Sequence, residues 1–165
     1  MEGWVRVVQG EAEAGVRQAE AALEALKAIP SRRFHLPIRI AIVGRARAAA
    51  GDLEGALAHY QSALEAGANT GELWYEPELL RLKAEMLVAL PEARSAEAEQ
   101  CLIEAIALAR KQEAKFWELR AAVALAGLWA KLGRRADASG VLAPVHRGFA
   151  PELRNAETLL VELAA

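Results

Sequence analysis

The chain has 165 residues, of which 54% are hydrophobic and 25% charged, a composition typical of folded globular proteins and not of disordered chains. Its formal net charge of −2 gives no overall attraction to nucleic acids or anionic membranes, and its single cysteine excludes an internal disulfide. No signal-peptide pattern and no uncharged stretch long enough to cross a bilayer occurs. We therefore expect a cytoplasmic protein that binds neither nucleic acid nor membrane.

Apolar residues spaced three and four positions apart predict a chain made almost entirely of helices. Glycine and proline separate these stretches, for example at Gly10, Pro30, Gly51 and Gly133. In chain order, the predicted helices are residues 2–9, 11–29, 37–50, 53–66, 70–90, 95–113, 115–132, 135–143 and 152–164.

Polar caps and prolines mark the boundaries of two of these helices. Asn69 or Thr70 suits the amino-terminal cap of the fifth helix. Pro77 lies near its start, so this helix either begins at Glu76 or is kinked there. Pro144 is expected to end or bend the eighth helix.

A pair of small residues recurs about every forty residues on the predicted helices. The two members of each pair lie on consecutive helices, and a turn separates them. A period of this length is typical of stacked helix pairs. Small residues at these positions let two helix axes approach closely. The first series is Gly3, Gly44, Ala84 and Ala126, and the second is Gly15, Ala56, Ala98 and Ala138.

The unit around residues 51–65 resembles the tetratricopeptide repeat. Ala56, Tyr60 and Ala63 match the small, aromatic and small positions of that family's second helix, and Gly44 matches the small position of its first helix. The period of about 41 residues exceeds the 34 residues of that family. Longer units of this kind resemble the carboxy-terminal arrays of large bacterial signalling proteins, which join a cyclase, kinase or DNA-binding domain to an ATPase.

This resemblance implies an all-α fold: a right-handed superhelix of antiparallel helix pairs, with about eight or nine helices in one domain. The expected units are residues 1–30 (truncated), 37–68, 72–113 and 115–148, and residues 151–165 are expected to form a capping helix. The chain is interpreted either as the carboxy-terminal part of a signalling protein or as a small protein by itself.

Residues with catalytic or metal-binding chemistry are scattered along the chain. His35, His59 and His146 lie far apart, with no cysteine or histidine partner at metal-ligand spacing, and Cys101 sits on an apolar helical face. No phosphate-binding loop, nucleophile elbow or zinc-protease motif occurs. We therefore expect no enzymatic activity, no metal and no cofactor.

A basic segment and two aromatic pairs each have two interpretations. Residues 25–51 contain six basic residues and no acidic one, which indicates an anion-binding patch or, as we favour, pairing with neighbouring acidic helices. Trp74-Tyr75 and Phe116-Trp117 occupy similar places in successive units, one repeat period apart. This periodicity favours packing between units over a ligand-binding box.

The resemblance also implies a partner-binding groove. In tetratricopeptide arrays the first helix of each unit lines the concave surface, so residues that flank its small position face a bound segment. These charges either bind a peptide or helix or pair with one another across adjacent helices, and we keep both interpretations. The groove residues so selected are Trp4, Arg45, Glu78, Arg81, Glu85, Arg120 and Lys131.

Three functions are compatible with these observations. The first is a non-catalytic module that binds a partner protein or peptide as a scaffold. The second is an array that senses a small ligand and relays it to an attached ATPase or nucleotide cyclase. The third is self-association through the apolar edge of the truncated first unit.

The assigned register predicts the effect of enlarging one small residue. Replacing Ala98 by leucine should overpack a helix crossing and lower the free energy of unfolding by roughly 1–3 kcal/mol. An unchanged midpoint of chemical denaturation would contradict the assignment of Ala98 to a helix crossing.

For the groove, we expect Arg81→Glu to weaken partner binding by about tenfold and to leave the fold intact, since exposed charges contribute little to stability.

Overall fold

The structure, a computed structural model, describes residues 6, 10–29 and 34–148, and within these ranges every regular element is a helix. This part of the chain holds seven helices, not the predicted eight or nine. The predicted helix at 2–9, apart from residue 6, and the predicted capping helix at 151–165 lie outside the described residues. The helices are α1 (Ala12–Lys27), α2 (Leu36–Ala49), α3 (Leu53–Thr70), α4 (Glu76–Ala89), α5 (Ser95–Lys111), α6 (Lys115–Lys131) and α7 (135–148).

The predicted cap at Asn69 or Thr70 and the predicted end of the eighth helix at Pro144 are wrong, whereas the alternative start of the fifth helix at Glu76 is confirmed. Thr70 does not cap α4 but is the last residue of α3, which ends where Gly71 takes a left-handed backbone with φ of 75°. The helix α4 begins at Glu76, with Pro77 in its first turn, where a missing N–H costs nothing. Pro144 does not end α7, which is helical to residue 148. The neighbouring Val145 is buried in the core, and this burial holds the last turn of α7 in place.

The helices pack in chain order. From α1 through α6, each helix contacts the next one, and α4 also contacts α6. Two groups of buried residues form the core, one between α1 and α4 and the other between α4 and α7, and Leu57 and Leu64 of α3 pack against both. The result is an all-helical array compatible with a helical repeat.

The recurring small residues lie where helices meet. All seven members of the two series that the structure describes are buried. The closest approach is at Gly44 of α2, where an added Cβ would lie 2.8 Å from Cε1 of the buried Tyr60 on α3. The interhelical distance at this crossing therefore requires the absence of a side chain.

The turn between α2 and α3 follows the predicted Gly51-Asp52 sequence. Gly51 has φ of 86°, a conformation that glycine adopts without strain. The Asp52 carboxylate then accepts a hydrogen bond of 2.9 Å from the backbone N–H of Gly55 and caps α3. Hydrogen bonding to Gly55 and to Arg47 lowers the pKa of Asp52 below its ordinary value.

The crossing at Gly44 generates a prediction for alanine substitution. Gly44→Ala should lower the free energy of unfolding by about 1–3 kcal/mol, although alanine favours a helix by ~1 kcal/mol, because the new methyl group would overlap the Tyr60 ring. The matched control is Gly140→Ala in α7, where no neighbouring atom lies within 4 Å of an added Cβ, and it should stabilise the protein slightly. Urea denaturation measures both, and equal effects of the two substitutions would contradict this account.

Candidate functional site

Six of the seven predicted groove residues lie on three helices, and Trp4 lies outside the described residues. Arg45 is on α2, Arg120 and Lys131 are on α6, and the other three are on α4. We call the surface that carries them the α2–α4–α6 face.

Three of the predicted arginines act on one phenol through their charge. Burial and the Glu78 carboxylate raise the pKa of Tyr75, and the guanidinium groups of Arg45, Arg120 and Arg81 act in the opposite direction. Arginines from α2, α4 and α6 therefore influence the same buried side chain. Their role in binding a partner stays a prediction.

At the centre of this face, the buried Glu78 carboxylate lies between two guanidinium groups. Arg81, one turn further along α4, donates from Nε and Nη2 to its two oxygens, both at 2.9 Å. Arg120 of α6 donates from Nε and Nη2 to the same oxygens, at 3.0 and 2.9 Å. Glu78 is only 4% exposed. These two bidentate pairs join α4 to α6, so the carboxylate belongs to the contact between successive units.

The surroundings of Glu78 keep its carboxyl group ionised. Burial raises the pKa of its carboxyl group, but hydrogen bonds and charge from Arg81 and Arg120 outweigh burial, and the net pKa is lowered. Glu78 is therefore ionised at neutral pH and neutralises part of the positive charge on this face.

The premise that Arg81 is an exposed charge is wrong, so Arg81→Glu is expected to destabilise the fold. The Arg81 side chain is only 11% exposed, and it also donates to Glu85 at 3.2 Å. A glutamate here would place a third carboxylate beside Glu78 and Glu85, one of them buried, and like charges at such distances destabilise the fold. The donors of Arg81 are used within the protein. The exposed charges of this face are Arg45, Glu85, Arg120 and Lys131.

An apolar cavity lies next to this charged centre, between α4 and α6. Its volume is about 380 Å³, and Val123 in its wall is 52% exposed. Three of the eleven residues that line it are charged. The residues that line it are Arg81, Ala84, Glu85, Val88, Ala89, Leu102, Val123, Ala124, Gly127, Leu128 and Lys131.

Sequence reasoning selected the charges at this cavity and missed its apolar wall. The sequence did not single out Val88 or Val123, because helical periodicity does not show which apolar residues the neighbouring helices leave uncovered. The exposure of Val123 is the signal that only the packed structure provides.

A second feature is a continuous line of rings at the amino-terminal ends of α2, α4 and α6. Successive ring centroids are 3.8 to 5.7 Å apart. We call it the aromatic edge, and its rings in spatial order are Phe34, His35, Trp74, Tyr75, Trp117 and Phe116.

Each repeat contributes one exposed and one more enclosed ring to the aromatic edge. Phe34, Trp74 and Phe116 are 67%, 45% and 58% exposed, whereas Tyr75 is buried and Trp117 half-buried. The interpretation of these pairs as packing residues therefore fits the second member of each pair and not the first. The Phe34-His35 pair, one repeat period before Trp74-Tyr75, extends a periodicity that the sequence analysis identified only in part.

The remaining candidate residues either contact neighbouring groups of the protein or are buried. Arg47 of the basic segment forms ion pairs with Glu20 and Asp52, which favours pairing over an anion-binding patch. The Nδ1 atom of His59 lies 2.8 Å from the Gly55 carbonyl oxygen on its own helix. Cys101 is buried, and burial raises the pKa of its thiol. Among the described residues, no group of three or more metal-ligating side chains comes together.

Comparison with known proteins adds no relative to this picture. No protein-family model matches the chain, and no curated protein matches it with significant similarity. Across the described part of the chain, no helix combines the length and apolar character needed to span a bilayer.

The carboxylate between two arginines generates a prediction for stability. Glu78→Gln should lower the free energy of unfolding by roughly 2–3 kcal/mol, below the value for a fully buried pair because Arg120 is partly open to water. The control is Glu85→Gln on the same helix, whose side chain is 55% exposed, with an expected change within about 0.5 kcal/mol.

The pH dependence of the same variant checks the charge of Glu78. A carboxyl group with a lowered pKa in the folded state stabilises the protein fully above its unfolded pKa of about 4.3, and this contribution is lost as the pH falls through the folded pKa. Between pH 7 and pH 3, wild type should therefore lose more stability than Glu78→Gln in urea denaturation. Parallel profiles would show that the Glu78 carboxylate does not stabilise the fold.

Proposed function

We propose that this protein is a non-catalytic protein-interaction module that binds a partner segment on the α2–α4–α6 face. The observation that carries the proposal is the apolar cavity of about 380 Å³ between α4 and α6. Val123 in its wall is half exposed, so part of the apolar wall is open to solvent and accessible to an apolar side chain of a partner.

The residues that line the cavity indicate which kind of segment would bind there. Its wall is formed by alanine, valine and leucine side chains, which favour an aliphatic anchor residue. Glu85 and Lys131 stand at its rim and provide an acceptor and a donor for polar groups that flank the anchor. A central apolar pocket with a polar rim is the arrangement by which interfaces concentrate their binding energy.

The proposed architecture is a tetratricopeptide-like array that winds into a right-handed superhelix, with the α2–α4–α6 face on its concave side. The support is the buried series of small residues and the stacking of α4 on α6. On the resemblance of its longer units, we place the chain in the carboxy-terminal part of a cytoplasmic bacterial signalling or regulatory protein. Gene context, with an ATPase or cyclase encoded upstream in the same reading frame, tests that placement.

The same cavity favours one other function, the sensing of a small ligand. Its volume lies within the range of about 300–1,000 Å³ that is usual for small-molecule sites. A thermal-shift screen with metabolites distinguishes this function from partner binding, since a ligand that occupies the cavity raises the unfolding temperature without a second protein.

A charge placed in the cavity wall tests the proposed function. Val123→Arg should reduce recovery of the partner by at least about tenfold in a pull-down from cell extract, because the guanidinium group would occupy the space of the apolar anchor. The matched control is Ile103→Arg on α5, an exposed apolar residue outside the cavity lining, which should recover the partner as wild type does.

Both variants are first compared with wild type by circular dichroism and light scattering. Equal recovery by Val123→Arg and wild type would contradict the proposed face. Association of the wild-type chain with itself that Val123→Arg abolishes would identify the occupant as a second copy.

A further inference from the structure

The charges of the α2–α4–α6 face differ in sign from those of the chain as a whole. This face carries four basic and two acidic side chains, a net charge of +2, whereas the whole chain has a net charge of −2. The rest of the chain therefore has an excess of acidic residues, and positive charge is concentrated on the face that holds the cavity. Its charged residues are Arg45, Glu78, Arg81, Glu85, Arg120 and Lys131.

Two buried phenols show that charges from α2, α4 and α6 act at one place. Burial raises the pKa of Tyr60, and charges of both signs act on it, Arg45 and Arg81 among them. Burial also raises the pKa of Tyr75, which the same two arginines and Arg120 lower. The three guanidinium groups thus contribute to one local electrostatic field.

The two carboxylates of this face are already bound by its arginines. Glu78 is buried and accepts from both Arg81 and Arg120, and Glu85 accepts from Nη1 of Arg81 at 3.2 Å. Arg120 uses its Nε and Nη2 atoms for Glu78, yet its side chain is 41% exposed. The carboxylates of the face therefore do not neutralise all of its positive charge.

Lys131 is a cation at the cavity that no carboxylate of the described residues matches. It lines the cavity and is exposed, and within the described part of the chain it forms no ion pair. A carboxylate brought to this rim would gain a charge-assisted hydrogen bond from the ammonium group. No bond inside the protein would have to break for it.

We propose that the segment bound on the α2–α4–α6 face is acidic: an aliphatic side chain fills the cavity, and carboxylates on either side of it contact Lys131 and Arg120. This inference rests on the proposed function and adds the charge of the partner to it. Opposite charges across an interface speed association and exclude partners of the wrong sign. A basic segment would bring like charges to the rim of the cavity.

Other occupants match this surface less well. A second copy that placed its own α2–α4–α6 face here would bring two faces of net positive charge together. A nucleic acid would match the charge, but no aromatic side chain lines the cavity, so a base would have no ring to stack on.

Short synthetic peptides test the inference directly. A nine-residue peptide with a central leucine and glutamate at the other positions carries an uncharged dye, and fluorescence anisotropy follows its binding. We expect saturable binding that weakens as salt is raised. The same peptide with glutamine in place of glutamate should bind several-fold more weakly, and one with lysine should not bind measurably. Replacing the central leucine by glycine should weaken binding by about tenfold.

Paired variants locate the carboxylates. Lys131 and Lys111 are both exposed and are the last residues of α6 and α5, so reversing either charge has the same effect on a helix end. Lys131→Glu should weaken binding of the glutamate peptide by about three- to fivefold, whereas Lys111→Glu should bind it as wild type does.

A second pair tests the opposite sign. Glu85→Gln removes a negative charge from the rim of the cavity and should strengthen binding of the glutamate peptide about twofold. Glu92→Gln, at an exposed carboxylate in the α4–α5 connection, should have no effect.

The outcomes separate this inference from the proposed function. Equal binding of the glutamate and glutamine peptides, or equal binding of the glutamate peptide by Lys131→Glu and Lys111→Glu, would overturn the acidic partner and leave the cavity as the proposed site. Equal binding of the leucine and glycine peptides would instead contradict the cavity. A single-stranded oligonucleotide that displaced the peptide completely would identify a nucleic-acid site and overturn the proposal.

Discussion

The close crossing of paired helices is the constraint on which the rest of this structure depends. At the α2–α3 crossing, the backbone of Gly44 lies against the Tyr60 ring with no room for a methyl group. Ala56 on α3 of the same helix pair is completely buried, and at the α4–α5 crossing Ala84 and Ala98 take the same role. A helix pair held this tightly has a defined orientation, so a small residue in each unit determines how the next unit stacks and which faces of its helices remain open.

One consequence is a partly uncovered surface where α4 and α6 meet. The helices α4 and α6 contact each other as well as α5, and Val123 in the wall of the cavity between them stays half exposed. The carboxylate of Glu78 lies there, held by one arginine from each helix. Removing water from a carboxylate is costly, and here two bidentate pairs offset that cost. The network thereby fixes the spacing of α4 and α6 and, with it, the width of the adjacent apolar cavity.

A second consequence is that the array has two chemically different surfaces. The α2–α4–α6 face combines an aliphatic cavity with charged side chains of both signs, whereas the aromatic edge consists of rings, three of which are exposed. The first suits an apolar anchor with polar flanks.

The local sequence by itself determined the helices, most turns and the positions of the crossings. These features depend on neighbouring residues: apolar periodicity, the Gly51-Asp52 turn, and the small residues whose burial the structure confirms. The residues of the charged face were also selected from sequence, and the charges of Arg45, Arg81 and Arg120 all act on the Tyr75 phenol. Tertiary structure alone decided which of these charges are available. Arg81 looked exposed from its helical position, but Glu78 becomes its buried partner only when α6 brings Arg120 to the same carboxylate from a distant part of the chain. The cavity wall and the exposed half of each aromatic pair were decided in the same way, because the exposure of a side chain depends on which neighbouring helices cover it, and that depends on contacts between distant parts of the chain.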